Sequence, residues 1–504
     1  MTEMQVNDSF SRELEYMNMI RQDEYRPSYH FSPKSGWLND PNGMVYFEGR
    51  YHLFYQHHPF GTTWGPMHWG HAVSTDLVTW EEQPIALGPD EQGMIFSGSA
   101  VVDEQDTSGF FGGKPGLVAI FTHHGSNPDT DQIRQSQSLA YSTDSGKSWI
   151  KYTGNPVLED EHCIDFRDPK VFWHKSTEQW VMVLACGQTV RIYHSPNLKE
   201  WAFASEFGHG IGSHDAVWEC PDLFPLYVDG ESTRVKWVML VSIGDTPEIR
   251  EGSRTQYFTG EFDGTTFVAD RDSERVRWLD HGRDNYAGVC WSDIPVEDGR
   301  RLFIGWMSNW RYANLTPTER WRGAMSIPRE LALETRNGKV ALIQRPVREL
   351  EGLRTPVLSL KEPSLAEIQA AFSDLRLDCY EIVAEVATDR DFAFKVRVSD
   401  EQDTLVGYAS ETQEVYVDRT RSGCSDFHED FAGRHAVPLE TAENRLDLHI
   451  YVDRSSIEVF FNHGQVVITD LIFPDAESKG LKIFTADEQI TLFSLELYAL
   501  EGWM

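Results

Sequence analysis

WLNDPNGMVYFEGRYHLFYQHHPFGTTWGPMHWGHAVSTDLVTW, residues 37–80, carries three patterns in a row. A polar, turn-rich segment (LNDPNG, 38–43) comes first. A strand-length apolar run (YHLFYQ, 51–56) follows. A short turn ending in tryptophan (STDLVTW, 74–80) closes the unit.

All three patterns recur. Apolar, β-rich runs return as LVAIFT (117–122), WVMVLA (180–185), WVMLVS (237–242) and LFIGWM (302–307), with starts 57–66 residues apart. Their aromatic and branched residues favour a pleated, half-buried surface. The tryptophan-ended turn recurs as STDSGKSW (142–149) and SPNLKEW (195–201), with FDGTTF (262–267) in the fourth slot. STDSGKSW resembles the Asp-box that closes hairpins in propeller enzymes. A period of this length signals a repeat architecture. The simplest one is radial: five blades around an axis, one per repeat. A large β-sandwich with accidental spacing is the alternative.

Each apolar run follows a polar segment: LNDPNG (38–43), FSGSA (96–100), FRDPK (166–170), ECPDL (219–223) and DNYAG (284–288). In a propeller the first strand of each blade lies nearest the axis. Five such segments would converge on one end of the central channel.

The pattern changes near residue 330. Alternating strands are expected over 380–386, 392–398, 446–452, 456–461, 465–468, 481–484 and 490–498, which read as an antiparallel sandwich with a supporting or ancillary role. The fold class is therefore all-β, a five-bladed β-propeller followed by a C-terminal β-sandwich. We divide the chain into an extension (1–27), a propeller (28–345), a linker (346–364) and a sandwich (365–504). Short helices are expected over 10–22 and 364–373.

The 504 residues carry a net charge of -34, which disfavours nucleic acid and anionic membranes as partners. No apolar run reaches the length of a signal or membrane segment. The six cysteines show no C-x-x-C pair, so scattered reduced thiols and a cytoplasmic location are expected, with secretion after signal removal as the alternative. The sequence does not indicate the oligomeric state. His57, His58, His68 and His71 cluster without a zinc motif such as H-E-x-x-H, so no metal is expected, and no cofactor. The glycine-rich GFFGGK (109–114) lacks phosphate-loop spacing and reads as a turn. No G-x-S-x-G elbow is present.

Cleaving a glycosidic bond by the common route takes two carboxyl groups. One is an acid of raised pKa and the other stays ionised. Asp40, held in a tight turn by Pro41 and Gly43, suits a rigid nucleophile; a plain Asx-turn would look the same. Glu219 lies between Trp218 and Cys220-Pro221, apolar neighbours that would raise its pKa. Arg167 would keep Asp168 ionised, or form a structural ion pair with it.

WLNDPNG, FRDPK and WECPDLF, in this order, resemble the three signature blocks of glycoside hydrolase family 32. YHLFYQHHPFGTTWGPMHWGHAVSTDLVTW, FSGSAVV and GWMSNWRYANLTPTERWRGAMSIPREL add to the likeness, which is greatest to bacterial levanases, exo-inulinases and invertases. The resemblance implies a retaining β-fructofuranosidase that releases terminal fructose from sucrose, fructo-oligosaccharides or fructan. Asp40 would be the nucleophile, Glu219 the acid/base and Asp168 the transition-state stabiliser. Asn39, Gln56, Trp64, Phe96, Ser97, Arg167, Tyr286 and Trp310 would shape the fructose subsite. Fructosyl transfer from the same site and a catalytically dead fructan-binding module are the alternatives.

Overall fold

The computed structural model describes residues 23–127, 132–271, 275–486 and 488–502. The helix expected over 10–22 lies outside the described residues. Among the described residues no helix is long and apolar enough to cross a membrane.

Five antiparallel sheets form the blades of a propeller. Their first strands are Gly36–Phe47, Met94–Asp103, Phe166–His174, Trp218–Tyr227 and Tyr286–Cys290. The five apolar runs become the second strands, Arg50–His58, Gly116–Ser126, Gln179–Cys186, Val235–Ile243 and Arg301–Trp306. The first strands neighbour one another in a closed ring, blade I to blade V and back to I. Closure is explicit in the backbone: Val45 bridges Ser292, and Trp321–Arg322 pairs in parallel with the start of blade I.

The tryptophan-ended turns have a common chemistry. In the first, the Ser74 hydroxyl accepts from the Leu77 amide (2.8 Å) and Asp76 accepts from the Val78 and Thr79 amides (3.0 and 2.7 Å). The Trp80 indole donates to the Leu77 carbonyl at 3.0 Å. Asp144 and Asn197 play the part of Asp76 in the next two turns, and Trp149 and Trp201 that of Trp80. Short Ser/Asp side chains suit this task because they can satisfy backbone amides that no strand partner reaches.

The sandwich pairs a six-stranded with a five-stranded sheet. In strand Tyr380–Ala387 the side chains of Tyr380, Ile382, Ala384 and Val386 enter the core, the period-2 signature of a half-buried strand. Each fully buried aliphatic there stabilises by about 1.5–3 kcal/mol. Residues 354–361, within the 346–364 connector, form the edge strand Arg354–Lys361 against Leu492–Leu500. The helix expected over 364–373 is Leu365–Ser373, started by a capping box between Ser364 and Glu367.

Propeller and sandwich share one core, in which Tyr451, Phe460 and Val467 pack with residues of blades I and V such as Trp306 and Met325. Buried charges cross the same seam. Arg329 reaches Asp280 (3.1 Å) and Glu458. Arg419 reaches Asp284 (2.6 Å), and His30 lies between Asp453 (2.8 Å) and Glu458 (2.9 Å).

The expectation of scattered reduced thiols needs correction. Cys163 and Cys186 form a disulfide across 23 residues. The hairpin closes this gap: Phe166 lies opposite Cys186, so the chain just before the blade III inner strand runs beside the end of its neighbour. Spacing along the chain does not reveal such a return. The other cysteines are free, with Cys220, Cys290 and Cys379 buried.

The histidine cluster is occupied by local bonds. His57, His58 and His68 face the carbonyls of Trp37, Thr63 and Pro66, and His71 faces His52. The 109–114 turn wraps around Asp106, whose carboxylate accepts from the Phe111 and Gly113 amides.

Candidate active site

All five inner strands lose register with their neighbours at the polar segment. The breaks fall between Leu38 and Pro41, Ile95 and Gly98, Arg167 and Lys170, Glu219 and Asp222, and Tyr286 and Val289. A bulge lets a strand re-aim side chains without ending the sheet. At three of the bulges a non-glycine residue takes a left-handed conformation: Asp168 (φ 66°), Cys220 (φ 45°) and Ala287 (φ 52°). Such residues cost of order 1–3 kcal/mol each and persist only where the surroundings hold them. The polar segments are thus places where sheet regularity gives way to side-chain placement.

The bulges of blades I to IV point into one cavity of about 360 Å³. Asn39, Asp40, Gln56, Trp64, Phe96, Ser97, Arg167, Asp168, Glu219 and Trp310 all line it. Tyr286 does not. It lies buried beside the cavity and donates from its hydroxyl to Glu219 Oε2.

Asp40 is buried and oriented on both oxygens. The Ser97 hydroxyl donates to Oδ2 at 2.7 Å and the Asn39 amide to Oδ1 at 3.0 Å. Asn39 is fixed in turn by the Trp37 indole at 2.7 Å, and Trp37 stacks on Trp310. Burial pushes the Asp40 carboxyl above the usual aspartate range. The Ser97 bond opposes this shift, and the charge of Glu219 adds to it.

Asp168 receives the Cys220 amide on Oδ2 at 2.9 Å, and its own amide donates to the Thr122 hydroxyl at 3.0 Å. Contrary to the expectation that Arg167 keeps it ionised, burial pushes the Asp168 carboxyl up to about 7; Arg167 opposes the shift, and Glu219 and Asp40 reinforce it. The guanidinium itself makes its contacts elsewhere, with Glu219 Oε1 (2.9 Å) and Asp165 (2.6 Å).

Glu219 is half-buried and lies between Arg167 and the Tyr286 hydroxyl. The apolar setting expected from its neighbours in sequence is absent, because Trp218 turns away into the core of blades III and IV. Cys220 donates weakly to Asp40 (3.5 Å) and Asp168 (3.6 Å), so its thiol sits between the two buried carboxylates.

Five cavity residues escape the sequence motifs: His124, Ile133, Gln135, Ile164 and Asp165. They lie on outer strands of blade II or in the loop before blade III. Gln135 accepts from the Phe166 amide at 2.7 Å and His124 stacks on Phe96 at 4.2 Å, so both support motif residues. Only Asp165, directly before FRDPK, sits next to a signal in the sequence. Lys170 and Arg191, the basic residues near the motifs, stay outside this cavity: Lys170 lies 3.6 Å from Asp222, and Arg191 pairs with Asp160 at 2.5 Å.

Three buried or half-buried carboxyl groups on rigid strands, two with pKa values pushed up, form an arrangement suited to acid–base and nucleophilic chemistry. Comparison with known proteins agrees. A levanase of Bacillus subtilis is 51% identical over 489 residues, covering 95% of this chain and 71% of its own. A levanase of Bacillus sp. strain L7, at 40% identity, is spanned over 52% of its length. An extracellular exo-inulinase of Aspergillus niger is 40% identical, with 90% of each chain covered. Among solved structures, exo-inulinase from Aspergillus awamori superposes with a TM-score of 0.86 at 36% identity, covering 95% of this chain and 99% of that one. The β-fructofuranosidase of Schwanniomyces occidentalis, complexed with fructosyl-erythritol, gives 0.85 at 32%, with 95% and 98% covered. The models for the N-terminal and C-terminal domains of glycosyl hydrolases family 32 match residues 30–346 and 349–499. The chain therefore belongs to glycosyl hydrolase family 32.

Proposed function

We propose that this protein is a retaining exo-β-fructosidase, which releases terminal fructose from fructans such as levan and inulin and also cleaves sucrose. The observation that carries this reading is the convergence of Asp40, Asp168 and Glu219 on one small cavity. Buried Asn39, Asp40 and Asp168 close its floor, so a chain end enters more naturally than the middle of a polymer. The relatives named levanase and exo-inulinase support the substrate class.

The chemistry follows from the positions. Asp40, held on both oxygens, attacks C2 of the fructosyl unit. Glu219 protonates the departing glycosidic oxygen as the C2–O bond breaks. A fructosyl–Asp40 ester results, and the leaving sugar departs. Glu219, now deprotonated, takes a proton from water. The water oxygen bonds to C2 and the ester opens, regenerating both carboxyl groups. Asp168, on the opposite side of Cys220 from Asp40, accepts hydrogen bonds from fructose hydroxyls, which strengthen as positive charge develops at C2.

Chromatography of the products from sucrose, inulin and levan tests the reading, with Glu219→Ala as control. Fructose alone from the polymers, lost in the variant, is the expected result. Short oligomers would mean mid-chain cleavage, lengthened sugars would mean transfer, and no product from a folded protein would leave a binding module. The cellular location is part of the proposal. The Cys163–Cys186 pair and the relatives named extracellular favour an oxidising compartment over the cytoplasm. Counting titratable thiols in the unfolded, unreduced protein would decide: four supports this reading, and six returns the protein to the cytoplasm.

A further inference from the structure

The inner strands of blades II to IV run from the carboxylate cavity toward the opposite mouth of the channel. Phe166–His174 places Arg167 and Asp168 in the first cavity, and Lys170, Phe172, Trp173 and His174 line a second. Trp218–Tyr227 does the same, with Glu219 at one end and Asp222 to Pro225 and Tyr227 at the other. This second cavity is about 790 Å³, roughly twice the first, and takes walls from blades II to V.

We propose that the far mouth of the propeller is a second carbohydrate site that holds a neutral oligosaccharide. Its chemistry is that of a polyol with an apolar ring face. Phe172, Trp173 and Trp237 offer half-buried aromatic surface, and exposed Tyr227 stands at the lip. Among them Asp222 is buried, with an oxygen that no group satisfies. Its Oδ2 accepts from the Cys290 amide at 2.7 Å, and its Oδ1 has no hydrogen-bond partner. A buried acceptor left unpaired costs about 1–3 kcal/mol, which a ligand hydroxyl would relieve once the Asp222 side chain shifts toward the cavity it lines. Lys170 donates to the Cys290 carbonyl and has further N–H donors to offer. Asp293 accepts from the Val102 amide on Oδ2 at 2.8 Å, with its other oxygen available.

The charges select a neutral ligand. Lys170 and Asp222, 3.6 Å apart, offset each other. A phosphate or carboxylate would face Asp222, Asp293 and Glu104; a metal ion would face Lys170 and Arg301. Among the described residues no group of three metal-binding side chains is present. The volume falls within the range that encloses a ligand of several rings. A polymer held here would raise the local concentration of chain ends for the first cavity, since a second tethered site acts through effective concentration.

The test is a calorimetric titration of Glu219→Gln protein, slowed in turnover, with an inulin-type tetrasaccharide. Two sites are expected. Adding Trp173→Ala should leave one site, with its affinity unchanged. Tyr227→Ala, on the exposed lip, and Asp293→Asn should each weaken the second site about 5–20-fold. These two substitutions also carry the test if Trp173→Ala fails to fold. In otherwise unaltered protein, Tyr227→Ala should keep kcat on sucrose and raise KM on polymeric levan. A single site in Glu219→Gln, unaffected by all three substitutions, would overturn the proposal and leave only water at Asp222. Binding at the far mouth with none at the Glu219 cavity would overturn the hydrolase reading and leave this one standing.

Discussion

Asp40, Asp168 and Glu219 share the channel of the propeller; Asp453, Glu458 and Asp470 are carried by the sandwich into its seam with the propeller. Both sets are buried or half-buried, yet Asp40 and Asp168 are shifted the opposite way from the sandwich carboxylates. In the channel, burial and mutual repulsion push Asp40 and Asp168 up, the latter to about 7. In the seam the sandwich carboxylates are held low. His30 brings Asp453 down to about 2, Arg329 and His30 lower Glu458, and His435 and Arg419 lower Asp470. The propeller's own seam residues, Asp280 and Asp284, are raised by burial although Arg329 and Arg419 touch them. Burial alone thus does not decide what a carboxylate does. The sandwich carboxylates held low each face a histidine, whereas Asp280 and Asp284, which face an arginine alone, are raised, as are Asp40 and Asp168.

The largest effect expected from this contrast is on catalysis. Glu219→Gln keeps the size of the side chain and removes the proton donor, so kcat on sucrose should fall about 10³–10⁵-fold. The melting temperature should stay near that of the parent protein. A loss under tenfold would mean that Glu219 is not the acid. The seam should behave in the opposite way. Arg329→Met leaves Asp280 buried without its cation and Glu458 with His30 alone, and should cost about 3–5 kcal/mol in a denaturant titration. The fraction that remains folded should keep its kcat. A stable variant would show that the seam charges do not hold the two domains together.

How much of this was legible in the sequence follows from the same contrast. The channel motifs are contiguous in the chain: LNDPNG, FRDPK and WECPD each carry a functional carboxylate beside the turn-forming residues that bend its strand. Apolar runs at a regular spacing announced the five blades. The seam offered no such signal. Arg329 and Glu458 are 129 residues apart, and neither sits in a turn-rich polar segment like those of the channel. The Cys163–Cys186 pair and Gln135 depend likewise on a return of the chain that spacing does not encode. Side-chain direction was hidden as well. Trp218 precedes Glu219 but packs into another core, so the apolar setting expected for the acid was misplaced. Arg167 adjoins Asp168 and opposes its upward shift, but it pairs with Glu219, and burial prevails.

Asp168 provides a finer comparison. Its folded pKa of about 7 exceeds the ordinary aspartate value of 3.8, so between these pH values the folded protein keeps a proton that the unfolded chain releases. Stability contributed by that proton is full at acid pH and is lost as pH rises toward 7. Asp168→Asn does not titrate. It should therefore gain about 1–3 kcal/mol over the parent at pH 8 and little at pH 4, while losing activity. Equal gains at both values would place the Asp168 pKa in the ordinary range.

His30 tests the seam by the reverse route and should show the smallest effect. Its ring is buried, with Asp453 at 2.8 Å from one nitrogen and Glu458 at 2.9 Å from the other. Burial alone would lower its pKa, but the two carboxylates overcome this and raise it to about 9. A raised histidine contributes stability that is complete below its unfolded value of 6.5. That stability is lost as pH climbs from there through 9, because the unfolded chain gives up the proton first. The parent protein should lose about 1–2 kcal/mol across this window, measured by denaturant midpoints at successive pH values. His30→Gln can still donate one hydrogen bond but cannot titrate, so its stability curve should be lower and flat over the same range. The Asp168 variant should retain the alkaline decline, because the channel and the seam take up their protons independently. If His30→Gln declined as steeply as the parent, the proton lost at alkaline pH would belong to another group, and the seam would be holding a neutral imidazole.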